Sequence, residues 1–223
     1  MVKTKKIHHK ANYRSQKDSS PNSVRHESLA STGDLDLLYG KHAVLSALAN
    51  PRRQFGRLIL TTDTNHNFFE KIEKALSNGG HSEVNILTLD KKNLDNQLPA
   101  GAVHQGIALE ARALKYNLDD IINQTSRNDE ATIILLDQAT DTHNIGSILR
   151  SAAAFGATAV IIQDRNSPIT NGTIAKAASG ALEHVAIVRT TNLVRAMNKL
   201  KTADYWCVGL EGKAIKTITE VRL

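Results

Sequence analysis

Short, continuously apolar runs alternate with segments of helical period through the second half of the chain, and this alternation constrains the fold more than any other feature. Residues 132–137 read as a strand, 145–155 as a helix, 158–163 as a strand, 172–179 as a helix, 184–188 as a strand, 193–201 as a helix and 205–210 as a strand. Strands that lack polar alternation are covered on both faces, so the pattern predicts a parallel sheet with helices on each side. The first half follows a shorter plan. Ala43, Val44, Ala47 and Leu48 fall at helical spacing and the stripe stops at Asn50 and Pro51. A strand over 57–61, a helix over 65–77 closed by Gly79 and Gly80, a strand over 83–89 and the run 107–113 complete a separate α/β unit.

Shifts in composition set the boundaries. Residues 1–34 are rich in Ser, Asn, Lys and His and carry no sustained period, which predicts a disordered basic tail. The first domain is expected over 35–113, a polar linker with a helical turn at 118–122 over 114–130, and the second domain over 131–223. Five of the six net positive charges sit in residues 1–30, where Lys3, Lys5, Lys6, Lys10, Arg14, Lys17 and Arg25 face only Asp18 and Glu27. A basic arm on a nearly neutral body suits a polyanion, because each cation beside a phosphate releases a condensed counterion; a plain solvated tail is the alternative.

Several function classes are disfavoured on composition and motif. The longest apolar runs, 132–136 and 158–162, are far shorter than the roughly 18–20 residues a bilayer crossing needs, so no membrane partner is expected. Cys207 is the single cysteine; it has no internal disulfide partner, which points to a reducing, cytoplasmic compartment. The histidines lack helical ligand spacing, so no metal site is expected. Neither a glycine-rich phosphate loop nor a Gly-x-Ser-x-Gly elbow occurs.

Open parallel sheets bind ligands beyond the carboxyl ends of their strands, which singles out residues 137–144. Asn144 stands where a helix N-cap belongs, and the N–H groups of that helix would face an anion such as phosphate. Ile145, Ile148, Leu149 and Ala152 form the expected buried stripe. Arg150 lies about 140° around the axis from Ile145, near Ser147 at about 200°, and is free to reach a ligand; an ordinary solvated arginine is the alternative.

With those positions marked, the run DTHNIGSILRSAAAFGATAVII at 141–162 closely resembles the first signature of the SpoU-type RNA ribose 2'-O-methyltransferases, whose fold is the trefoil-knotted SPOUT class. The likeness continues through KAASGALEHV at 176–185 and RTTNL at 189–193. LYGKHAVLSAL at 38–48 and His104-Gln105-Gly106 are similar to that family's amino-terminal substrate-binding domain, which has a ribosomal-protein-like α/β fold. The resemblance implies methyl transfer from S-adenosylmethionine to a ribose 2'-hydroxyl of ribosomal or transfer RNA, and a homodimer. It is most similar to the subgroup that modifies a guanosine of large-subunit ribosomal RNA.

The family's invariant pair falls on Asn144 and Arg150, and Glu183 matches a position expected to orient Arg150 or a nucleobase, a solvated loop carboxylate being the alternative. A guanidinium of pKa above about 12 is an awkward base, so Arg150 is expected to clamp phosphate and hydroxyl while Asn144 caps the helix. Lys41, His104 and Gln105, with Lys3, Lys5 and Lys6 of the arm, are the implied RNA contacts. The family's second and third signatures, a Gly-Glu-Gly-type loop and a Ser-Leu-Asn-Val stretch that bind the adenosyl group, do not occur. Gly209 and Leu210 are the positions left for the cofactor, and a shortened member lacking its knot segments is expected, with a noncatalytic RNA-binding fragment as the alternative.

Overall fold

The computed structural model describes residues 3–6, 35–125, 131–163 and 171–221. In chain order the elements are β1 (Lys3–Lys6), β2 (Leu35–Tyr39), α1 (Lys41–Leu48), β3 (Phe55–Thr61), α2 (His66–Asn78), β4 (Asn85–Leu89), α3 (Lys91–Asp95), β5 (Ile107–Arg112), α4 (Leu118–Thr125), β6 (Ile133–Leu136), α5 (Thr142–Ala154), β7 (Ala159–Gln163), α6 (Asn171–Ala178), a 3-10 turn (Ala181–Glu183), β8 (Ala186–Thr190), α7 (Leu193–Thr202) and a second 3-10 turn (Ile218–Glu220). They fall into two compact units. One gathers β1 through β5, α5 as far as Arg150, α6 and the first 3-10 turn; the other gathers α4, the strands β6 to β8, the end of α5, α7 and the residues that follow.

The first unit is built on a mixed sheet of order β1-β4-β3-β5-β2. β3 and β4 run parallel, while β5 pairs antiparallel with both β2 and β3. Helix α2 forms because Asn65 accepts the Phe68 N–H at 3.0 Å, satisfying an orphan donor, and because Phe68, Ile72, Ala75 and Leu76 lie on one face. That face packs with Val44, Ala47 and Leu48 of α1 over Leu58, Leu60, Ile86 and Leu109 of the sheet. Gly79 ends α2 where a Cβ would lie 2.4 Å from the Leu48 carbonyl oxygen, so only a glycine lets the two helices close up. A second cluster of Tyr39, Ile59, Leu94, Leu98 and Ala108 involves the opposite side chains of the same strands.

Helix α6 belongs to this core. Ala175 is buried with the α1 and sheet residues, and Leu182 packs against them. Gly172 brings the helix so near β2 that a Cβ would lie 2.3 Å from the Leu37 carbonyl oxygen, and Gly180, at φ 94°, would strike Ser46 in the same way. Beneath these contacts the Glu183 carboxylate meets Arg53 in a fork, at 2.7 Å from Nη2 and 3.0–3.1 Å from Nε. Asn50 Nδ2 donates to the same carboxylate at 2.7 Å, and Arg53 Nη1 donates to the Arg112 carbonyl at 2.6 Å. Both charged side chains are 4% exposed.

The second unit carries a parallel sheet of order β6-β7-β8. Ile121, Ala159, Ile161, Ala186, Val188, Ala196 and Leu200 form its core, with Tyr116 bridged to Val188 at the margin. Asn192 caps α7 by accepting the Arg195 N–H at 2.9 Å. Three strands form where four were expected. The apolar run at 205–210 is not a strand: Asp204 turns the chain at φ 64°, and Trp206 and Leu210 stand 85% and 79% exposed with no neighbour to pair.

Other differences are local. The strand β2 was not foreseen, because its five residues follow directly on the basic stretch and only Gly40, at φ 90°, separates them from the helix stripe. Residues 3–6 pair antiparallel with β4, although the stretch 1–34 was expected to lack regular structure; the rest of that stretch lies outside the described residues. Among the described residues no helix is long and apolar enough to cross a membrane.

Removing one partner of the buried Arg53–Glu183 pair leaves the other uncompensated, at a typical cost of roughly 3–5 kcal/mol. Arg53→Ala should therefore lower the urea midpoint sharply, whereas Lys74→Ala on the exposed face of α2 should leave it near the wild-type value.

Candidate functional site

Helix α5 begins three residues earlier than the spacing of its apolar stripe suggests. Asp141 occupies the cap: its carboxylate accepts the His143 N–H at 2.8 Å and its carbonyl accepts the Ile145 N–H at 3.0 Å. Asn144 is therefore not the N-cap but an exposed residue of the first helical turn. A carboxylate at the cap satisfies the same orphan donors and gains from the helix dipole, which is why the start moves to Asp141. Of the expected stripe, Ile145 and Leu149 are fully buried and Ala152 nearly so, while Ile148 is only half-buried.

Arg150 projects from the exposed side of α5. Its Nη2 donates to Ser147 Oγ at 3.0 Å and its Nη1 to the Ala177 carbonyl of α6. Gly146 makes that contact possible, since a Cβ there would lie 2.5 Å from the Ala177 Cβ and 2.7 Å from its carbonyl carbon. No carboxylate pairs with Arg150 among the described residues. Two of the five guanidinium N–H donors are thus held by protein oxygens and three remain for a ligand.

Glu183 takes no part in this arrangement; its carboxylate is spent on Arg53 and Asn50. Arg53 and Asn50 were missed by sequence reading, because nothing in the run Asn50-Pro51-Arg52-Arg53 distinguishes the buried arginine from its neighbour.

The implied RNA contacts gather at the amino end of α1. A cavity of about 530 Å³ opens there, lined by Lys41, Phe68, Lys91, His104 and Gln105 among others. Gln105 is held at φ 58°, a region costly for a side chain with a Cβ, and Gly106 follows at φ 83°. The Gln105 Oε1 accepts the Lys41 backbone N–H at 3.0 Å, replacing the side-chain cap that Gly40 cannot give. Lys176 Nζ donates to the same oxygen at 3.1 Å, and burial holds its ammonium below the ordinary lysine range. Lys41 Nζ lies 4.9 Å above the Phe68 ring.

His104 is buried within the wall. Its Nδ1 accepts the Gly106 N–H at 3.1 Å, which leaves Nε2 to donate to Asp95 at 3.0 Å. Both ring nitrogens are therefore used to shape the loop. Asp63, also on the lining, is held below the usual carboxylate range, chiefly by a hydrogen bond from Thr61 and then by its own backbone N–H.

Of Lys3, Lys5 and Lys6 the structure describes only the backbone, in β1. Gly209 and Leu210 do not line that cavity. A Cβ at Gly209 would meet nothing within 4 Å and Leu210 is exposed, so these residues do not fit an adenosyl group. Among the described residues no cluster of His, Cys, Asp or Glu could hold a metal.

Comparison with known proteins divides the chain by sequence, at a different place from the two compact units. Residues 37–117 match the RNA 2'-O ribose methyltransferase substrate-binding family, and residues 131–223 the SpoU rRNA methylase family. An uncharacterized tRNA/rRNA methyltransferase of Synechocystis is 38% identical over 179 residues, covering 78% of this chain and 45% of its own length. YacO of Bacillus subtilis, assigned to the TrmH family of tRNA/rRNA methyltransferases, is 33% identical over 181 residues, covering 80% of this chain and 70% of its own. The chain thus spans between under half and about two thirds of the relatives it matches. Among solved structures, the SpoU methyltransferase AviRb of Streptomyces viridochromogenes, in complex with the cofactor AdoMet, superposes with a TM-score of 0.61 at 17% identity, over 77% of this chain and 61% of AviRb. A TrmH-family protein of Porphyromonas gingivalis gives 0.53 at 17% identity, over 77% and 60%. At such identities the likeness establishes the α/β fold of the methyltransferase class.

Gly146→Ala should force α5 away from α6, because the atoms in the way include backbone. Overpacking of this kind costs about 1–3 kcal/mol. The urea midpoint should fall accordingly, and nuclear magnetic resonance should show the Arg150 Nε–H and Ala177 signals shifting, while Gly212→Ala, with nothing within 4 Å of its Cβ and no left-handed backbone, should leave them in place.

Proposed function

Since the chain belongs to the SpoU/TrmH family of tRNA/rRNA methyltransferases, we propose that it grips ribosomal or transfer RNA and presents Arg150 to a ribose 2'-hydroxyl that receives the methyl group of S-adenosylmethionine. The observation that carries this reading is the guanidinium of Arg150, fixed by Ser147 and Ala177, exposed, and without a carboxylate partner. Such a group is preorganised for a phosphate or ribose oxygen, since its orientation is set before the ligand arrives. Arginine stays protonated, so its role is to orient the phosphate and the hydroxyl. Asn144, about one and two-thirds turns earlier and also exposed on the same helix, adds a neutral amide contact.

In this reading residues 35–113 seat the RNA through Lys41 and Gln105, 114–130 link, 131–223 carry the transfer, and the basic arm at 1–34 with Lys3, Lys5 and Lys6 adds unspecific attraction. His104 supports Gln105 from inside the wall. Glu183 acts through the fold, by holding α6. In the same reading the protein works as a homodimer in the cytoplasm. A second reading, an RNA-binding chain without transfer, is favoured by the exposure of Gly209 and Leu210.

Incubation with ribosomal or transfer RNA and S-adenosylmethionine labelled in its methyl group tests the proposal. Label in ribose 2'-O-methyl nucleotides, reduced at least about 100-fold by Arg150→Ala at saturating RNA, supports transfer. RNA binding with no incorporated label supports the second reading. Sedimentation velocity should show twice the chain mass, and a monomer at every concentration would reject the dimer.

A further inference from the structure

We infer that Lys176, Gln105 and the amino end of α1 form a seat for an RNA backbone phosphate, so that a residue of the segment matched by the methylase model takes part in gripping RNA. This rests on the RNA-binding reading above and adds to it a residue, a ligand group and a reason for the strained loop.

Three cations of the described chain meet carboxylates: Arg53 with Glu183, Arg57 with Glu110, Lys199 with Asp119. Lys176 meets none among the described residues. Its partner is the neutral Gln105 Oε1, which already accepts the Lys41 N–H. An ammonium bound to an amide oxygen gains less than one bound to a phosphate oxygen, so the amide holds the place that an anion takes. The carboxylates on the neighbouring lining are occupied, Asp95 by His104 and Asp63 by Thr61.

The backbone is shaped around this ammonium. A Cβ at Gly40 would lie 2.5 Å from Lys176 Nζ, so the glycine, at φ 90°, leaves the lane along which the lysine reaches Gln105. Gln105 adopts φ 58° and aims its amide at the same point, and the two donors that converge on it offset the strain. Nor is the Lys176–Gln105 bond needed to hold α6, which is fixed by the buried Arg53–Glu183 pair and by its close approaches to Leu37 and Ser46. The Lys41 ammonium, resting on the Phe68 face, supplies a second cation beside the opening.

The test is the salt dependence of binding by the full chain to a fluorescently labelled poly(U) oligonucleotide, compared among wild type, Lys176→Gln, Lys176→Arg and Lys74→Gln. Each phosphate contact contributes about 0.7 to the slope of log K against log salt for a single strand. Lys176→Gln should lose about that much slope and bind several-fold more weakly, Lys176→Arg should keep the slope, and Lys74→Gln should match wild type. Far-UV circular dichroism and the urea midpoint of each variant report that the fold is retained. Equal slopes for wild type and Lys176→Gln would overturn the inference while leaving RNA binding intact. Absence of salt-dependent binding by wild type would overturn the RNA-binding reading itself, and this inference with it.

Discussion

A guanidinium and a carboxylate that meet out of reach of solvent, Arg53 and Glu183, decide where α6 lies, and that helix carries Lys176 and holds Arg150 through the Ala177 carbonyl. Taking both charges out of water costs several kcal/mol, which the mutual attraction and the added hydrogen bonds from Asn50 and to the Arg112 carbonyl offset. The net gain in stability is small. What the pair supplies is position: a helix one residue out of register would leave both charges buried and unmatched, so alternative seatings of α6 are strongly disfavoured.

Two consequences follow along the helix. Toward its carboxyl end the Ala177 carbonyl accepts from Arg150, and Gly146 lets α5 lie close enough for that bond. One residue before, Lys176 points to the opposite neighbour and reaches Gln105 beside α1. A single short helix therefore orients the candidate clamp for the ribose and a cation at the RNA seat. The segments matched by two different family models share one core here, with Ala175 and Leu182 packed among residues of α1 and the mixed sheet.

Periodicity made much of this fold legible. The stripes of α1, α2, α5 and α7 and the uninterrupted apolar runs of β6 and β7 lie where their spacing puts them, because each depends on local pattern and on burial of one face. What failed depended on distant partners. Apolar residues at 205–210 resemble a strand, yet a strand needs a neighbour to pair with, and beyond Asp204 none is present among the described residues. The cap of α5 went to Asp141 because two competent residues stand close together and a carboxylate serves better at a helix start. At the site, the exposure of Arg150 was legible from its place off the buried stripe, whereas Gln105 was marked only by resemblance to the family's substrate-binding domain, and its bonds to Lys41 and Lys176 had no local signal. The tie between Arg53 and Glu183 was not, since 130 residues separate them and no local signal marks either as buried.

Amide hydrogen exchange across α6 in the full chain tests the central claim most directly. If the buried pair seats this helix in the core of the first unit, the amides of residues 174–178 should exchange as slowly as those of β3 and β5, and far more slowly than those of 206–216. Exchange of α6 at the rate of that exposed stretch, with β3 and β5 still protected, would contradict the account.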